Sequence, residues 1–112
     1  MLPGNAILSV LDCLEGEVGL YLEDVTVGDN LAVNPNQIFP SASIIKIPVL
    51  AALFKAAAEG KVDLNAKTTL KAENRVGGGG VLTELSIKLR PTVLDLATLM
   101  IIVSDNAATN EL

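Results

Sequence analysis

The chain has 112 residues, half of them hydrophobic, with a net charge of −5, one cysteine and no histidine. The length fits one domain or less, and the acidic balance argues against nucleic acid, which needs Lys and Arg clustered on one face. The zero count for His excludes Ser-His-Asp and Cys-His catalysis and any His-based metal site; no metal and no cofactor are expected.

Residues 1–17 read as an N-terminal helix. "NAILSVLDCLE" carries apolar residues at 7, 8, 11 and 14, a helical stripe ending at Gly16. Cys13 lies among Val10, Leu11 and Leu14, a setting that predicts a packed helix residue rather than a reactive thiol. The opening "MLPGNAILSV" has neither a basic n-region nor a cleavage site, so no export signal is read in it.

Residues 18–34 read as a β-hairpin. In "VGLYLEDV" Val18, Leu20 and Leu22 share one face, while Tyr21 and Glu23 take the other. "TVGDN" supplies the turn and "LAVN" the returning strand.

Residues 35–112 read as mainly helical. "SIIKIPVLAALFKAAAEG" is an Ala-rich helix closed by Gly60, and "TTLK" a short extended piece. Gly77 to Gly80 read as a flexible surface loop, because a phosphate cradle would need Lys and Ser or Thr to follow, not Val81-Leu82. "RPTVLDLATLMIIV" is the clearest helix, opened by the capping-box spacing of Thr92 and Asp95. It is so uniformly apolar from Val93 to Val103 that it should be buried all round. No apolar run reaches a membrane span, being broken by Lys55 and by Asp105. A mean hydropathy of +0.49 with no Trp nevertheless exceeds what a small sphere can bury, which points to a missing partner surface.

Two strings carry chemistry. In "FPSASIIKIP", Ser43 fits an N-cap position and Lys46 sits three residues on, so both project from one side of the first helical turn. A helix N-terminus disfavours a nearby ammonium, and Ile44, Ile45 and Ile47 should partly desolvate it. Such a lysine can accept the proton of a serine hydroxyl, giving a nucleophile without histidine. Pro48, read as falling in the second turn, would remove the hydrogen bond to the carbonyl of Ile44. The second string is Ser104-Asp105-Asn106. Alone, S-x-x-K arises by chance in roughly a third of chains this long and reads as a cap with a solvated lysine. S-D-N arises in of order a few per cent and reads as a polar helix end.

Together the two strings resemble the set S-x-x-K and S-D-N of class A β-lactamases and related penicillin-binding enzymes. "FPSASIIKIPVL" is similar to the family's stretch around its nucleophile, and "LRPTVLDLATLMIIVSDNAATN" to its central helix and following loop. The resemblance implies an α+β fold of the β-lactamase/DD-peptidase type, in its N-terminal part. That part comprises a helix, a β-hairpin, then helices carrying the two motifs, with the remaining strands absent. It implies hydrolysis of a small-molecule β-lactam through an acyl-serine, and a periplasmic or extracellular setting. Ser43 would be the nucleophile and Lys46 its proton acceptor or relay. Ser104 would pass a proton to the leaving nitrogen, Asn106 would bind the substrate's side-chain amide, and Asp105 would hold the loop. The backbone N–H of Ser43 would give half of an oxyanion hole.

The departures are as informative. No K-T-G occurs in the 112 residues, and Glu111 falls too soon after "SDN" to stand for the glutamate that activates the deacylating water. By the resemblance both would lie downstream of Leu112. The chain alone is therefore expected to turn nothing over, and to need a complementary C-terminal fragment or copies of itself. The nearest competing reading is a DD-peptidase or penicillin-binding hydrolase, and the remaining one a silent fragment acting only by assembly.

Overall fold

A computed structural model describes residues 2–112, which form two compact units divided between Pro40 and Ser41. The fold is α+β, with a two-stranded antiparallel sheet and four α-helices among the described residues.

In the first unit α1 spans Gly4–Leu11, shorter than the apolar stripe predicts. After Leu11 the backbone tightens: the N–H of Cys13 reaches Val10 and that of Leu14 reaches Leu11, three residues back instead of four. Cys13 thus lies beyond the end of α1, and its thiol is exposed, donating to the carbonyl of Ser9 at 3.3 Å. The expectation of a packed helical cysteine is therefore corrected.

Strands β1 (Leu20–Asp24) and β2 (Asp29–Val33) pair with Leu20 opposite Val33 and Leu22 opposite Leu31. Their side chains alternate between half-buried and exposed, with Tyr21 and Glu23 on the open face, as the sequence alternation predicts. The turn is held by Asp24, whose carboxylate accepts the N–H of Thr26 at 3.0 Å.

The second unit opens with a 3₁₀ turn at Ala42–Ile45 that runs into α2 (Lys46–Ala58). Further 3₁₀ turns at Ala72–Asn74 and Leu82–Glu84 precede α3 (Val93–Ile102) and the short α4 (Asn106–Glu111). The extended contact expected near "TTLK" centres one residue earlier, where Lys67 bridges Thr92 and the N–H of Thr68 donates to Pro91. The capping box forms: Asp95 N–H donates to Thr92 Oγ1 at 3.0 Å and Thr92 N–H to Asp95 Oδ2 at 2.8 Å.

The core gathers Leu70, Leu82, Leu96, Ala107 and Ala108, with Leu99 packed against it. It covers only one side of α3, that of Leu96, Ala97 and Met100. Leu94, Ile101 and Ile102 are exposed, so the expectation of a helix buried all round is corrected. The side of α3 bearing them lines an open apolar trough with Leu50 and Phe54 of α2. No helix among the described residues is long and apolar enough to cross a membrane.

Candidate active site

The start of α2 and the loop between α3 and α4 come together on one point. Ser43 Oγ lies 2.8 Å from Ser104 Oγ. Lys46 Nζ donates to Ser104 Oγ at 2.9 Å, to the Ser104 carbonyl at 2.6 Å and to Asn106 Oδ1 at 2.8 Å. The geometry thus brings Ser43, Lys46, Ser104 and Asn106 into one hydrogen-bonded group. Three acceptors match the three protons of an ammonium.

The local structure differs from the expected one in three ways. Ser43 is not an N-cap but lies inside the 3₁₀ turn, and α2 begins only at Lys46, whose N–H donates to the carbonyl of Ser43. Pro48 consequently stands in the first turn of α2, where a missing N–H breaks no α-helical hydrogen bond. Lys46 is buried at 5% exposure, yet Ile44, Ile45 and Ile47 are exposed at 70%, 51% and 63%. The 104–106 loop, not the isoleucines, takes the amine out of water.

Asp105 is fully buried and its side chain turns away from the serines. Its Oδ2 accepts the N–H groups of Val81 and Leu82, each at 2.7 Å, and its Oδ1 that of Ala108 at 2.9 Å. Burial works to raise its pKa, but backbone N–H donors at Ala108, Leu82, Val81 and Ala107 outweigh it and hold the carboxyl below the ordinary range. Glu111, near the end of α4, accepts the N–H of Lys71 at 2.6 Å.

Two features escaped the sequence reading. Ala42 and Ser104, on the two sides of the group, both have left-handed backbones, with φ of 45° and 53°. Each costs a non-glycine residue about 1–2 kcal/mol, a strain that persists only where surrounding structure enforces it. The second is the glycine run. Gly77 to Gly79 are exposed, as a surface loop should be, and Gly80 is half-buried, but the run is not independent of the site. The Asn106 N–H donates to the Gly79 carbonyl at 3.2 Å, and Asn106 Nδ2 to that of Gly77 at 3.3 Å. No spacing rule announces this contact. The only sequence signal was the improbability of four glycines in a row.

A family model described as the β-lactamase enzyme family matches residues 4–112. Among solved structures the chain is similar to PBP-A, with 33% identity and a TM-score of 0.88, covering 99% of this chain and 45% of that one. It is likewise similar to a PBP-A mutant in an acyl-enzyme complex with penicillin G, at 34% identity and TM-score 0.88 over 98% of this chain and 45% of that one. A β-lactamase from Sphaerobacter thermophilus DSM 20745 matches at 33% identity and TM-score 0.85, with coverages of 95% and 40%. The chain thus spans less than half the length of each. No curated protein sequence matches it.

Proposed function

The chain belongs to the β-lactamase enzyme family, and from that premise we propose that it carries the serine end of a site that opens β-lactam rings through an acyl-serine intermediate. The observation that carries this reading is the convergence of Ser43 Oγ, Ser104 Oγ and Lys46 Nζ within hydrogen-bond reach of one another through Ser104.

In the proposed reaction Ser43 Oγ attacks the lactam carbonyl. Its proton passes to Ser104 Oγ, while the Ser104 proton passes to Lys46 Nζ, which must first be in its amine form. The hydrogen bond between Lys46 and Ser104 then runs opposite to its direction in the resting structure. The backbone N–H of Ser43 supplies one donor to the oxyanion. As the C–N bond breaks, Ser104 gives a proton to the leaving nitrogen and regains one from Lys46. The net transfer is one proton from Ser43 to the lactam nitrogen, and the lysine ends as it began. Asn106 holds the lysine through Oδ1 and offers its amide to the substrate's side chain. Asp105 holds the loop and takes no part in the proton transfer.

Hydrolysis of the acyl-serine gives a β-lactamase. A second reading, in which the acyl-enzyme persists as in a penicillin-binding enzyme, is supported by the likeness to PBP-A and its penicillin G complex. The family reading also carries a periplasmic or extracellular setting. The exposed apolar side of α2 and α3, with Phe54, Ile101 and Ile102, supports cover by a complementary fragment or by further copies.

A fluorescent penicillin with mass spectrometry of the Ser43 peptide tests the proposal. Labelling lost in Ser43→Ala supports it. Rapid release as ring-opened product marks the lactamase, slow release the penicillin-binding enzyme. A wild-type protein that never labels overturns both.

A further inference from the structure

The loop Gly77–Gly80, with Val81 and Leu82 directly after it, lies against the Ser104–Asn106 segment through four hydrogen bonds. Two are the carbonyls of Gly77 and Gly79, which accept the side-chain and backbone N–H of Asn106. The other two are the N–H groups of Val81 and Leu82, which follow directly and close on the Asp105 carboxylate.

Gly80 is where this closure depends on residue type. Its φ of +99° is one that side chains rarely adopt, and a Cβ there would fall 2.2 Å from Asp105 Cγ and Oδ2 and 2.4 Å from its Cα. One of those atoms is backbone, so no rotation of the Asp105 side chain relieves the clash. A methyl at Gly80 must therefore lift the loop from Asp105, or push the 104–106 segment away.

The consequence reaches the reacting atoms through Asn106. A carboxamide has one acceptor end and one donor end. With Nδ2 engaged by Gly77, Oδ1 is turned to Lys46, and Lys46 in turn reaches Ser104 Oγ. If the loop lifts, the bond from Lys46 is the one contact of these left to hold the carboxamide, and its donor end is free to move.

We propose that Gly77–Gly80 is a positioning element of the serine–lysine site, with Gly80 as the residue on which it turns. It orients the Asn106 carboxamide and, through it, the Lys46 amine. Its chemical meaning rests on the acyl-serine reading above, whereas the geometry stands without it.

The test compares Gly80→Ala with Gly60→Ala. Gly60 has a similar left-handed φ of +70° but nothing within 4 Å of its Cβ position, so it isolates the cost of backbone strain. The readouts are the Asn106 side-chain NH₂ resonances of ¹⁵N-asparagine-labelled protein and the rate of labelling by fluorescent penicillin. In Gly80→Ala the resonances should move to free-amide positions and labelling should slow about tenfold to hundredfold, with Gly60→Ala unchanged in both. Wild-type resonances and rate in a folded Gly80→Ala overturn the proposal.

Should Gly80→Ala not fold, Gly78→Ala takes its place, since its Cβ would sit 3.2 Å from Asn106 Nδ2. Unmoved Asn106 resonances in that variant also overturn the proposal. If the wild type takes no penicillin label, the acyl-serine reading falls while the resonances still judge the loop.

Discussion

Ser43 Oγ and Ser104 Oγ, 61 residues apart in sequence, stand 2.8 Å apart in the fold, and the Lys46 amine reaches the second of them. The hydroxyl of Ser104 thus stands between the proposed nucleophile and the base. In the proposed reaction it handles the proton twice, on its way out of Ser43 and on its way to the leaving nitrogen.

Ser104→Ala should therefore slow acylation of Ser43 by about 10²–10⁴-fold, the range typical of a lost acid–base group. The measurement is the pseudo-first-order rate of fluorescent-penicillin labelling. A rate within a factor of two of wild type would mean that Lys46 takes the proton without Ser104.

Asp105→Ala should cost stability rather than chemistry alone. It strips the acceptor from three backbone N–H groups, those of Val81, Leu82 and Ala108, the last two in buried bonds. Hydrogen bonds to a charged group contribute about 1.5–3 kcal/mol each, so a loss of at least about 3 kcal/mol is expected in urea unfolding. A loss below about 1 kcal/mol would show that water replaces the carboxylate without penalty.

The same carboxyl sets an acid limb. Its folded pKa lies below the ordinary value of 3.8, so the folded state binds its proton less readily than the unfolded chain. Its contribution is complete above that ordinary value and is lost as pH falls through the folded one. Asp95, held below 3.8 by backbone and side-chain hydrogen bonds at Thr92, acts in the same sense. Stability measured from pH 6 to pH 2 should fall below about pH 4, and less steeply in Asp105→Asn. An unchanged slope in that variant would remove Asp105 from the acid limb.

Thr92→Ala should lower stability by about 1 kcal/mol, because the hydroxyl caps α3 through Asp95 N–H and the variant leaves that donor to water. A drop in Tm of roughly 4 °C or more is the expected readout. A stability equal to wild type would mean that the hydrogen bonds from Val93 N–H to Ala66 and from Leu94 N–H to Leu64, not the cap, fix where that helix begins.

What could be read beforehand was local. The Thr92–Asp95 cap, the alternation of Leu20, Tyr21, Leu22 and Glu23, and the two motif strings each depend on neighbours a few residues apart. The errors share one cause. The length of α1, the place of Pro48 and the surroundings of Lys46 were inferred from adjacent residues, whereas each is decided by where the backbone tightens or by a distant segment. Uniform apolarity in α3 likewise announced a wish for burial without saying which faces obtain it.

The sequence by itself determined which functional groups the two motifs bring: the hydroxyls of Ser43 and Ser104, the amine of Lys46 and the carboxamide of Asn106, each placed beside a helix, in a chain with no imidazole. Only the tertiary structure decided that they meet, because hydrogen-bond distances across 58 to 61 residues depend on how α2, α3 and the glycine loop pack, and no local spacing encodes that. It also decided that Gly80 matters, since a missing Cβ is informative only once the atom that would occupy its space, here on Asp105, is known.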